Sequence, residues 1–132
     1  MRVPTKVERI ADLDTPLSSL YPASMPDDFE KVRLTIQNGP NLRFNGALLI
    51  NEAPLESRTR HDRFQLYAIE GGGFVAAHGW ISTIPGEDSF WSAAEVQTVR
   101  DVMAAWKWCV PAKGLAKVLQ WDIAEYLGSA KP

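Results

Sequence analysis

Polar and apolar residues alternate with period two along 31–37 (KVRLTIQ), with Val32, Leu34 and Ile36 on one side and Lys31, Arg33, Thr35 and Gln37 on the other. This is the pattern of a half-exposed strand. Asn38-Gly39-Pro40-Asn41 is turn chemistry. The stretch 42–50 (LRFNGALLI) reads as a second strand with Phe44, Leu48 and Ile50 on one face. Gly46 in its middle marks a bulge or a close backbone approach. After a polar loop over 51–62, the stretch 63–81 is apolar on both faces and reverses at Gly71-Gly72, the signature of a β-hairpin. The expected register sets Ile69 opposite Phe74 and Gln65 opposite His78. Phe64, Leu66, Ala68, Val75 and Ala77 then share one face. Gln65, Tyr67, Ile69, Phe74, Ala76, His78 and Trp80 share the other. A slip of one residue would exchange the two sets of the second strand.

The period changes further on. A loop over 82–91 around Pro85-Gly86, extended at Phe90-Trp91, precedes Ser92-Ala93-Ala94-Glu95, which has the spacing of a capping box. Val96, Val99, Met103, Trp106 and Val110 follow at helical spacing and predict an amphipathic helix that Pro111 ends. A second helix is predicted over 112–127, with Leu115, Val118, Leu119, Ile123, Tyr126 and Leu127 as its stripe and Gly128 as its cap. Residues 1–30 carry Pro4, Pro16, Pro22 and Pro26. They predict an arm with a brief helix at 6–13 and then a prolyl connector with at most single turns, in which Thr15-Pro16 suits an N-cap and first helical position. Strands first and helices last indicate an α+β domain over 31–132. It is expected to have a three- to four-stranded antiparallel sheet, two C-terminal helices packed on one face, and a Pro-rich N-terminal arm.

Composition narrows the function classes. At 132 residues, 45% apolar and 23% charged, the chain has the size and balance of one soluble domain. A net charge of −2 argues against bulk electrostatic binding of nucleic acid. The lone Cys109 forms no internal disulfide and suits the cytoplasm. No apolar run approaches the ~20 residues that would span a membrane, and the N-terminus lacks the apolar stretch of a secretion signal.

Phe44-x-Gly46-x-Leu48-Leu49, then Phe64-x-Leu66-Tyr67 and Gly72-Gly73-Phe74-Val75-Ala76, resemble the strand pattern of the EXLDI-type small bacterial proteins. Those carry an FxGxLL strand, a YxxYxTxxGxF hairpin and a Glu-x-Leu-Asp-Ile motif near the C-terminus. Leu119-Gln120-Trp121-Asp122-Ile123 keeps the Asp-Ile pair and departs at Gln120 and Trp121. The resemblance implies a bacterial origin and supplies no catalytic residue.

The candidate chemistry is sparse. His78 beside Tyr67 and Gln65 would suit acid–base work, and Glu87-Asp88 is an acidic pair in a loop. His61 and His78 stand seventeen residues apart without the converging ligands of a zinc site. Cys109, predicted at a helix C-terminus among apolar residues, reads as a core residue. Gly71-Gly72-Gly73 lacks the lysine and helix of a phosphate cradle. Arg58, Arg60, His61 and Arg63 form a basic patch before the hairpin, and Trp80, Trp91 and Trp108 are harder to bury than Trp106 and Trp121. Aromatic side chains beside arginine are typical of protein-binding hot spots. The expectation is a non-enzymatic protein-interaction module, an inhibitor or regulator of bacterial or mobile-element origin, anti-defence inhibition being one form. It docks a protein partner, or a second copy as a homodimer, through Arg58, Arg60, Arg63, Tyr67, Phe74, His78 and Trp80, with no catalytic residue, metal or cofactor. The alternatives are a small enzyme using His78 with Tyr67 or Glu87/Asp88, and a nucleic-acid module on the Arg58–Arg63 loop.

Overall fold

Five antiparallel strands, β1 (Glu30–Leu34), β2 (Leu42–Glu52), β3 (Arg60–Ile69), β4 (Phe74–Ser82) and β5 (Phe90–Val96), follow one another in chain order across a single sheet. The computed structural model describes residues 13–21 and 28–107. Among these there is one α-helix, α1 (Val99–Ala105), and a 3-10 turn at Leu17–Ser19. This corrects the expected three- to four-stranded sheet with two C-terminal helices: the sheet has five strands and curls into a half-barrel. The helix expected at 112–127 lies outside the described residues, as do the helix at 6–13, Trp108, Cys109 and Trp121.

The first misreading lies at 92–96. Ser92 and Glu95 have capping-box spacing, but so do Thr98 and Asp101, and the second pair forms the cap. Asp101 N–H donates to Thr98 Oγ1 at 3.3 Å, and Asp101 Oδ2 accepts from Thr98 N–H and Gln97 N–H at 3.2 and 3.0 Å. Residues 90–96 instead pair along their whole length with β4, from Trp80↔Phe90 to Phe74↔Val96. The ladder satisfies backbone groups that a helix start would leave unpaired. The other orphan amides of α1 are met by the N-terminal arm: Val99 N–H donates to Thr15 O and Arg100 N–H to Leu13 O, at 3.1 and 2.7 Å. Pro16 is the cap of the 3-10 turn rather than its first helical residue. Leu17, just after it, is fully buried.

The second correction is the hairpin register. Ala68 pairs with Phe74, Gln65 with Ala77 and Phe64 with His78, one residue from the expected pairing. Ile69 N–H donates to Gly73 O at 2.9 Å. Gly71, Gly72 and Gly73 all take positive φ (93°, 119°, 93°), a region open to glycine and strained for other residues. A third shift falls in β2, where pairing slips between Leu48 and Ile50. Ile50 therefore joins Leu66 on one face while Leu48 joins Tyr67 on the other, a bulge effect that separates two residues expected together. Gly46 is the close approach: a Cβ there would stand 2.6 Å from the Phe44 ring and 3.3 Å from Tyr67.

One sheet face carries α1. Phe64, Leu66, Ile50, Ala76 and Val96 pack there with Val99, Val102, Met103, Trp106 and Leu17. The Trp106 ring lies 5.6 Å from that of Phe64, and its indole N–H donates to Gln65 O at 3.3 Å. The opposite face is closed in part by the sheet's own curl, which leaves Leu48 exposed. Just after β1, Trp91 N–H donates to Thr35 O at 2.9 Å and Gln37 N–H donates to Trp91 O at 3.0 Å, bringing the first strand against the last. Leu34, Tyr67, Val75 and Ala77 are buried as a result.

Candidate docking cleft

Directly opposed residues of an antiparallel sheet point the same way, so the pairings arrange the helix-bearing face as rows across β3, β4 and β5. Ala68–Phe74–Val96, Leu66–Ala76–Ala94 and Phe64–His78–Ser92 are followed by Asp62–Trp80–Phe90. α1 has seven residues and at 1.5 Å per residue is about 10 Å long. It ends with Trp106 over the Phe64 row. The Asp62 row projects beyond it, and Trp80 and Phe90 are 39% and 37% exposed.

These two aromatics border a cleft of about 440 Å³ whose other walls are Arg60, His61, Asp62, Ile81, Ser82, Glu87 and Asp88. Arg60 and Glu87 make a two-pronged ion pair, Nε to Oε1 and Nη2 to Oε2 at 2.8 Å each, which ties the β4–β5 loop to β3. The guanidinium hydrogen bonds, with help from Ser82, hold the Glu87 carboxyl down at about 2. They also raise Arg60 above its usual value.

His78 lies buried behind Asp62, outside the lining of the cleft. Its ring stacks on Phe64 (5.0 Å, 10°), meets Trp80 at 4.5 Å, and is 3% exposed. Nε2 lies 2.9 Å from Asp62 Oδ1. An ionised carboxylate only accepts, so Nε2 carries the proton. The Asp62 side chain is half exposed, so the histidine fixes one carboxylate oxygen and leaves the group facing the cleft. His78 Nδ1 and Ser92 Oγ, on opposed residues of the same row, are both buried without a hydrogen-bond partner. Asp62, His78 and Ser92 thus line up as acid, imidazole and hydroxyl. The hydroxyl is sealed from solvent and makes no hydrogen bond to the ring, so the set lacks the nucleophile–base contact that acyl transfer needs.

The residues expected as one surface are divided. Tyr67 is on the opposite face, 7% exposed, with its hydroxyl donating to Gln65 Oε1 at 2.5 Å and its pKa raised by burial. It is not beside His78. Phe74 is packed against the core and lies 6.3 Å from Tyr21, whose hydroxyl burial pushes up to about 12. Arg63 is on the Tyr67 face, donating to Asn51 Oδ1 at 2.8 Å and 3.4 Å from Glu56. Arg58 stands in the exposed loop and makes no ion pair among the described residues. Arg60 and Trp80 line the cleft together, and His78 lies buried against Trp80 behind it. Asp62 and Phe90 were not singled out from the sequence, and only the true register, with Asp62 opposite Trp80, brings them in.

Lys31, Arg33, Arg43, Asn45, Val32 and Phe44 line a second cleft of about 390 Å³ on β1–β2, where Arg33 and Arg43 are directly opposed. Among the described residues no group of three or more His, Cys, Asp or Glu converges as a metal site, and no helix is long and apolar enough to cross a membrane. No family model, curated protein or solved structure matches the chain.

Proposed function

We propose that this protein is a non-enzymatic interaction module that docks a partner protein in the cleft walled by Trp80 and Phe90, and acts as an inhibitor or regulator by holding that partner. The observation that carries this reading is the exposure of two large rings, paired across strands at the end of the helix-bearing face and bordering one cleft. Aromatic rings in a preformed depression with a polar rim are what interfaces use as anchors. The compartment that suits one cysteine is the reducing cytoplasm. A nucleic-acid role for the Arg58–Arg63 loop is disfavoured because Arg60 and Arg63 are held by Glu87 and Glu56.

The test is capture from the native host with immobilised wild type, a Trp80→Ala/Phe90→Ala variant and a Leu55→Ala control, followed by binding of the purified partner. Leu55 is a still more exposed apolar residue in the β2–β3 loop, outside the cleft. A protein held by wild type and control, lost by the double variant and bound again when purified supports the reading. A partner retained by the double variant contradicts it. A second copy of the chain as the occupant would appear as concentration-dependent self-association abolished by the double variant.

A further inference from the structure

We infer that the cleft is built for a cationic side chain of its partner, an arginine in the first instance. This rests on the docking reading and names the chemistry of what is docked. Three features of the row converge. Trp80 and Phe90 offer exposed ring surface, and the face of an aromatic ring attracts a cation. Asp62, directly opposite Trp80, supplies a carboxylate on the same side of the sheet. That carboxylate is preorganised, because a histidine that is itself almost fully buried and stacked on Phe64 holds Oδ1.

The charge balance points the same way. Among the cleft's groups, Arg60 and Glu87 neutralise each other. Asp62 accepts a hydrogen bond from His78, and Asp88 makes no ion pair among the described residues. Three carboxylates against one guanidinium thus line the depression, and its formal charge is negative. A guanidinium satisfies both demands at once, its plane lying on a ring and its edge donating to a carboxylate. An ammonium meets the second demand as a point charge and stacks less well. Neutral apolar side chains would use the rings and leave the Asp62 carboxylate desolvated with His78 as its one donor among the described residues, at a cost.

The experiment is an NMR titration read at the Trp80 indole N–H, assigned by its loss in Trp80→Phe. The probes are the N-acetyl amides of arginine, lysine and norleucine, each added to wild type and to Asp62→Asn. Expected is a saturable shift with arginine, a weaker one with lysine, and affinity for norleucine lower by about tenfold, the usual worth of a charge-assisted hydrogen bond. Asp62→Asn should bring arginine down to the norleucine level. Norleucine binding as tightly as arginine to wild type would overturn the inference without any variant, while leaving an aromatic docking cleft in place. A captured partner lost by Trp80→Ala/Phe90→Ala but retained by Asp62→Asn would do the same. No shift with any of the probes would overturn it as well, and capture by the aromatic pair would then judge the docking reading alone.

Discussion

Replacing Trp106 with alanine probes how the helix is fastened to the sheet. The indole is 1% exposed, lies 5.6 Å from the Phe64 ring, and donates to Gln65 O. Losing a buried tryptophan side chain to alanine costs about 3–5 kcal/mol. The carbonyl of Gln65 also loses its indole donor, adding about 1 kcal/mol. A total of about 4–6 kcal/mol compares with about 5–15 kcal/mol for a whole domain, so Trp106→Ala should be at or near the edge of folding. Trp106→Phe keeps an aromatic ring against Phe64 and should lose about 1–3 kcal/mol, mostly from the hydrogen bond and the smaller area. Urea unfolding followed by far-UV circular dichroism measures both, with the midpoint moving and the slope held. A Trp106→Ala midpoint within about 1 kcal/mol of wild type would refute the reasoning, because a side chain in the core contact described here cannot be removed so cheaply.

Three further outcomes follow from local geometry. Thr98→Ala removes the hydroxyl that caps α1 and should lower stability by about 1 kcal/mol in the same urea assay; an unchanged midpoint would place the helix start elsewhere. Gly79→Ala puts a methyl 2.9 Å from the Trp91 ring and 3.0 Å from Ile81, and should cost about 1–3 kcal/mol with a shifted Trp91 indole signal; a neutral effect would show that the inner face is not closed there. Glu87, lowered from 4.5 to about 2 chiefly by the Arg60 hydrogen bonds, favours the folded state above pH 4.5 and loses that contribution as pH falls through about 2. Its side-chain carbon should titrate near 2 by NMR, and a midpoint near 4.5 would mean that the Arg60 clamp is open in solution.

The alternation at 31–37 and the apolar stretch 42–50 were legible as strands because one side of each strand faces solvent, although β1 itself ends at Leu34. The hairpin was legible too, but its register was not. Three glycines at positive φ let the turn close with either loop length, and both faces of β4 are apolar, so burial does not select one register from pattern alone. That single residue decides whether Trp80 stands with Tyr67 or with Asp62, and hence which residues form a site. β5 was hidden by a capping-box spacing that occurs twice within 92–101. The closure of the curl depends on Trp91 meeting Thr35 and Gln37, a contact between distant segments with no local signature. The bulge between Leu48 and Ile50 likewise shows only as pairing. The acid partner of His78 lay in a stretch read as polar loop, where Asp62 looked like one charge among many.

Hydroxyl-radical footprinting resolved by residue, with and without saturating N-acetyl-arginine amide, tests the central claim most directly. Trp80 and Phe90 should oxidise rapidly in the free protein, Tyr67 and Trp106 slowly, and the probe should protect Trp80 and Phe90 alone. Fast oxidation of Tyr67 alongside slow oxidation of Trp80, or protection falling on any other part of the sheet, would contradict the placement of the open row and its role in binding.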